Sequence, residues 1–119
     1  MTVYDVKYFK NADVFDTRDL IQALEDLEDS DDLDEQLERA QLVELANVLS
    51  DYAEDYKYGA TVVADSYFEE YARQLAEDCG MIDRDVSWPQ TCIDWAQAAR
   101  ELQSDYTAIE WMGLTYWTR

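Results

Sequence analysis

The sequence predicts an α+β fold, mainly α-helical, in which an acidic helical N-terminal half precedes a small C-terminal α/β module that ends in an antiparallel hairpin. Three observations predict it. Apolar residues recur at helical spacing over residues 20–56 and again over 68–106. Short β-branched and aromatic runs stand at 58–64 and 108–117. The 119 residues include 48% hydrophobic and 13% aromatic side chains but only 3 Gly and 1 Pro, so there is a core to bury and little to break elements. A disordered acidic tail would have few aromatics and little to bury.

Taken in order, Met1 to Tyr8 alternates Val3, Asp5 and Lys7 against Tyr4, Val6 and Tyr8, which predicts a short strand. Asp16 or Thr17 can cap a helix through a side-chain oxygen that accepts a free backbone N–H. Leu20, Ile21, Leu24 and Leu27 give that helix one apolar face, and it ends around Glu28 to Ser30. Asp31 or Asp32 can cap the next. There Leu33, Leu37 and Ala40 form one stripe, while Leu42, Leu45, Ala46, Leu49, Tyr52, Ala53 and Tyr56 form another. At about 100° per residue the two stripes point in roughly opposite directions. The segment therefore either breaks near Ala40 and Gln41 or is one helix whose ends are buried against different neighbours.

Beyond Lys57, Tyr58 to Ala64 reads as a strand. Ser66 and Glu69 have capping-box spacing ahead of a helix that buries Phe68, Tyr71, Ala72, Leu75, Ala76 and Cys79, and Gly80 suits a left-handed cap. A loop from Met81 to Gln90 follows. Thr91 can cap a helix lined by Trp95, Ala98, Ala99, Leu102 and Tyr106. Met112 and Gly113 fit a two-residue hairpin turn. The expected organisation is an acidic segment, 1–57, and an α/β module, 58–119.

The charge narrows the function classes. With 28 Asp and Glu, 9 Lys and Arg and no His, the formal net charge is −19. Phosphates would be repelled, so direct binding to nucleic acid is excluded, and an anionic membrane surface is disfavoured. The natural partner is a basic protein surface. Residues 1–56 hold 17 acidic and 4 basic residues, a net of −13, against −6 for the remainder. The densest run, Glu25 to Glu38, has 9 carboxylates in 14 residues and no cation. No stretch nears 18 apolar residues, and the first residues lack a secretory pattern, so neither a membrane span nor a signal is expected. A cytoplasmic location follows, with Cys79 and Cys92 read as reduced, small apolar side chains.

The sequence offers little catalytic chemistry. Without His there is no Ser–His or Cys–His nucleophile pair, and Gly59, Gly80 and Gly113 cannot form a phosphate loop. Asp29 to Asp34 begins like a calcium loop, but Leu33 and Asp34 occupy the places of a ligand and the turn glycine. No enzyme activity, metal or cofactor is expected.

Asp65 to Gly80 (DSYFEEYARQLAEDCG) and Trp88 to Arg119 (WPQTCIDWAQAARELQSDYTAIEWMGLTYWTR) resemble the C-terminal part of ArdA-type antirestriction proteins and their phage-encoded relatives. The resemblance covers about half the chain. It implies an elongated acidic DNA mimic, often dimeric, that occupies the DNA-binding groove of a Type I restriction-modification enzyme. The first 56 residues are shorter and more helical than the family pattern, which brings a CRISPR surveillance complex into view as another target. If the protein is phage-encoded, its location is the host cytoplasm.

Physical reasoning alone leads to the same class. Duplex DNA carries one charge per ~1.7 Å of axis, and helices with carboxylates on successive turns approach that density. The expected contacts are Asp26, Glu28, Asp29, Asp31, Asp32, Asp34, Glu35 and Glu38, extended by Glu44, Asp51, Glu54 and Asp55. Tyr52, Tyr56 and Tyr58 can serve as interface anchors or as core. The expected function is inhibition of a host defence nuclease or surveillance complex. The alternative is an acidic chaperone or adaptor for a basic nucleic-acid-binding protein.

Overall fold

The strand expected over Met1–Tyr8 is a helix where the chain is described. The structure, a computed structural model, describes residues 5–82 and 88–119, so the first part of that expectation lies outside the described residues, as does part of the 81–90 loop. Helix α1 spans Val6–Asn11, and the Asp5 carboxylate caps it by accepting from the Tyr8 N–H at 2.8 Å. Val6 and Phe9, three residues apart, face the core. Eight residues are too few to separate alternation from a single helical turn, and the cap decided between them.

Strand β1 (Val14–Asp16) leads directly into helix α2 (Thr17–Leu27), whose cap is Asp16. The Asp16 carboxylate accepts from the Arg18 backbone N–H and pairs with its guanidinium at 2.9 Å. That guanidinium hydrogen bond holds the Asp16 pKa below the usual carboxylate value. Helix α3 runs unbroken over Leu33–Tyr52, with Asp32 as its cap. Its second half buries Leu42, Leu45, Ala46 and Leu49. Burial of the Leu33, Leu37 and Ala40 stripe is not observed: all three are exposed, because a straight helix can turn only one of two opposed stripes inward.

Strand β2 is shorter than expected, Thr61–Ala64. A single 3-10 turn, Asp65–Tyr67, then enters helix α4 (Phe68–Asp78). The Ser66–Glu69 capping box does not form, and Asp65 instead accepts a hydrogen bond from the Trp117 indole at 2.9 Å. Gly80, at φ +73°, closes α4 as expected: its N–H donates to Glu77 O, and the Met81 N–H donates to Ala76 O. Cys79 and Cys92 are both exposed and unpaired by disulfide, so the placing of Cys79 in the buried stripe of α4 is corrected. Helix α5 (Trp95–Gln103) is capped by Asp94, not Thr91, since Asp94 accepts from the Gln97 N–H. Strands β3 (Thr107–Trp111) and β4 (Leu114–Thr118) form the closing hairpin, with Met112 and Gly113 both at positive φ as a type I′ turn requires.

The four strands make one antiparallel sheet in the order β1-β2-β4-β3. Successive side chains of a strand point to opposite faces, and each face has its own core. Val62 and Tyr116 join Phe9, Phe15 and the leucines of α2 and α3 on one side. Val63 packs on the other with Phe68, Ala72 and Ala99, and Trp117 lies against them. Both Val62 and Val63 are fully buried, which explains why β2 is an uninterrupted apolar pair. The result is three layers: α1, α2 and α3, then the sheet, then α4 and α5. Segments on both sides of residue 57 share this sheet and the first core.

Thr17 ties the layers together. Its hydroxyl donates to Tyr56 O at 2.9 Å and accepts from the Ala60 N–H at 2.8 Å, while its own N–H donates to Ala60 O. Gly59 makes room for this junction at φ +116°, where a Cβ would stand 2.7 Å from the Arg18 Nε. The whole measures 58 × 26 × 25 Å.

On the second core, the Tyr71 and Tyr106 hydroxyls lie 3.2 Å apart beside Phe68. Burial, aided by that hydrogen bond, pushes Tyr71 from an ordinary 10.0 up to about 12. Between those values the folded chain keeps a proton that the unfolded chain has lost. The stabilisation is therefore complete below pH 10 and falls as pH rises toward about 12. In Tyr71→Phe this contribution is absent, so melting temperature should decline less steeply across that alkaline window than in the wild type. Thermal denaturation followed by circular dichroism measures the two slopes.

Candidate interaction surface on helices α2 and α3

Residues 28–32 join α2 to α3, and a local network holds the corner. The Asp32 carboxylate accepts from the N–H groups of Asp34 (2.8 Å) and Glu35 (3.3 Å). The Ser30 hydroxyl accepts from the Asp32 N–H at 3.2 Å and donates to Glu35 Oε2 at 2.9 Å. The Gln36 amide donates to Ser30 O. This is a capping box with a serine hydroxyl inserted between its two halves. Asp26 accepts from the Gln22 amide one turn earlier. The corner is therefore shaped by its own side chains.

The structure brings seven of the twelve expected carboxylates to this corner: Asp26, Glu28, Asp29, Asp31, Asp32, Asp34 and Glu35. All are exposed except Glu35, which is half-buried in the network. Glu38 is also half-buried, on the side of α3 that faces inward further along. Glu44 and Asp51 lie on the opposite, solvent side, and Glu54 and Asp55 follow in the turns after α3, all four exposed. From Asp34 to Asp51 is about 25 Å along the helix axis, at ~1.5 Å per residue. The acidic surface thus has two poles joined by the outer face of α3. Asp26 apart, none of the expected contacts forms an ion pair among the described residues, where the pairs are Arg18–Asp16 and Arg73–Glu70.

Helix electrostatics treat the two poles differently. Asp34 and Glu35 occupy the first turn of α3, where the positive end of the helix dipole stabilises them. Asp51 occupies the last turn, against the negative end, and neither α2 nor α3 has a basic residue in its last turn. Each misplaced carboxylate costs about 0.3–1 kcal/mol at an exposed terminus. That cost is unexplained by folding, because lysine would be better there.

Two features of the surface differ from the sequence reading. Leu33 and Leu37 are 79% and 62% exposed, whereas Leu27, Leu42, Leu45 and Leu49 are buried. The signal was present in the opposition of the two stripes, but it did not reveal which would be left out. Tyr52 and Tyr58 stand exposed beside the second pole, and Tyr56 is half-buried against the first core. Tyr52 and Glu54 line a shallow cleft with Asp105, Thr107 and Arg119.

Among the described residues, no group of three or more Cys, Asp or Glu side chains is arranged to hold a metal ion, and no helix is long and apolar enough to cross a membrane. No protein-family model, curated protein or solved structure matches the chain.

The two poles should respond oppositely to substitution. Asp32→Ala removes the cap and should cost about 1 kcal/mol of folding stability. Asp51→Lys places a cation at the negative end of α3 and should gain about 0.3–1 kcal/mol. Urea denaturation at matched slopes measures both.

Proposed function

We propose that this protein is a DNA mimic that inhibits a host defence enzyme of the restriction or CRISPR type by filling its DNA-binding groove. The observation that carries this reading is the run of mostly exposed carboxylates along one elongated helical edge, where Glu25 to Asp55 contains a single cation, the half-buried Arg39. Averaged over the 58 Å long axis, 19 net negative charges amount to one per about 3 Å. Duplex DNA carries one per ~1.7 Å counting both strands, so this average is a little over half the duplex density and close to that of one strand, ~3.4 Å. A groove that binds phosphates with Lys and Arg could then exchange them for Asp and Glu oxygens, with attraction steering the encounter. The like charges clustered at the corner and the carboxylates at the wrong end of α3 fit a surface selected for binding at some expense of stability. The similarity of residues 65–80 and 88–119 to ArdA-type proteins favours the same class, with a Type I restriction-modification enzyme as the first target to test. The protein acts by occupancy and performs no chemistry.

The triple variant Glu28→Lys, Asp29→Lys, Asp31→Lys tests this reading, because these side chains are exposed and Asp32 is left in place. In competition for a Type I enzyme against its target DNA, the wild type should displace the DNA. The variant should need at least about tenfold more protein, since rim charge pairs become repulsions. Its melting temperature should be equal or higher, because like-charge repulsion is relieved. Full competition by the folded variant would reduce the acidic run to a solvated face. Binding of the wild type without loss of DNA would contradict mimicry.

A further inference from the structure

The outer face of α3 carries a row that neither the core nor charge mimicry uses. Leu33, Leu37 and Ala40 recur at i, i+4 and i+7, all exposed. That is the anchor spacing of a helix that lies in a groove. Apolar side chains are retained here on a helix that is otherwise solvated along this face. The row is framed by charge: Asp31 and Asp32 precede it, Asp34 lies one turn from Leu37, and Glu44 lies one turn beyond Ala40.

We propose that this row is the apolar seat of the partner interface, and that its occupant is a protein groove with an apolar floor and a rim of Lys and Arg. The inference rests on the DNA-mimic reading and sharpens it. Charge complementarity selects the occupant. A second copy seated on the same row would bring two sets of Asp31, Asp32, Asp34 and Glu44 together, and between them each copy offers a single cation, the half-buried Arg39. A basic groove meets the rim with opposite charge. Grooves that read duplex DNA also place apolar side chains, which meet thymine methyls, between their phosphate-binding cations. The leucines would occupy that floor, adding a component of affinity that salt does not screen.

The test uses Leu33→Ser/Leu37→Ser in the full chain. Both positions are exposed, so the melting temperature should be unchanged within the effect of two surface substitutions. Two probes are used. The first is a helical peptide of Lys with Leu at i, i+4 and i+7, alongside the same peptide with Ser in place of Leu. Wild type should prefer the Leu peptide by at least about tenfold, and the double variant should lose that preference. It should keep its affinity for the Ser peptide. The second probe is DNA competition on a Type I restriction-modification enzyme at low and high salt. There the variant should compete at least about tenfold more weakly at both, with an unaltered salt slope.

No Leu preference in the wild type, or the same preference in the variant, overturns the proposal. So does a concentration-dependent dimer in the wild type that the double variant dissolves, which would assign the row to a second copy. If the peptide preference holds while the enzyme is not displaced from DNA, the docking surface stands and the defence-enzyme reading fails.

Discussion

The structure depends most on the junction made by Thr17. One buried hydroxyl links the first residue of α2 to Tyr56 and Ala60, 39 and 43 residues later, where the chain leaves α3 and enters β2. The same residue follows β1, so the α2–α3 hairpin is clamped at its base to the sheet edge. Loop closure of this length is entropically unfavourable, and the core leucines of α2 and α3 offset it by packing on Phe15, Val62 and Tyr116. The aromatic hairpin completes the hold. The Trp111 indole donates to Gln41 O in the middle of α3, and the Tyr116 hydroxyl donates to Phe9 O. With its base fixed, the hairpin projects its far corner away from the sheet.

That corner concentrates charge. Local hydrogen bonds among Ser30, Asp32, Glu35 and Gln36 fix its backbone, and the dipole of α3 favours its first-turn carboxylates. At the opposite pole the dipole works against Asp51, and among the described residues no cation forms an ion pair with it. A fold optimised for stability would place lysine there. The arrangement makes sense as a surface whose shape the fold maintains and whose charge a partner neutralises. On the proposed reading, the exposed Leu33 and Leu37 on the same face would meet an apolar floor between the partner's cations.

Much of the fold was legible in the sequence where one residue type had one physical job. Gly80 and the Met112–Gly113 pair take up positive φ, and the stripes of α2 and α4 have a single apolar face each. The misreadings arose where several short polar groups competed. Asp94 outcompeted Thr91 as a cap, the Ser66–Glu69 capping box did not form, and Asp5 turned an apparent strand into a helix. Strand β1 is 3 residues long and is defined by its pairing with β2, a long-range contact that no local window contains. At the candidate site, the identity of the carboxylates was readable. Their division into two poles, and the exposure of Leu33 and Leu37 on the same helix face, depended on which stripe of α3 the sheet would take.

The central claim is that the partner binds the α2–α3 surface. Carbodiimide labelling of carboxylates, read residue by residue by mass spectrometry in the free protein and in its complex with a Type I restriction-modification enzyme, tests this most directly. Protection is expected at Glu28, Asp29, Asp31, Asp34, Glu44 and Asp51, while the exposed Glu69, Asp94 and Glu101 of the other helical layer remain labelled. Protection centred on Glu69, Asp94 and Glu101, with the α2–α3 carboxylates still reactive, would contradict the account.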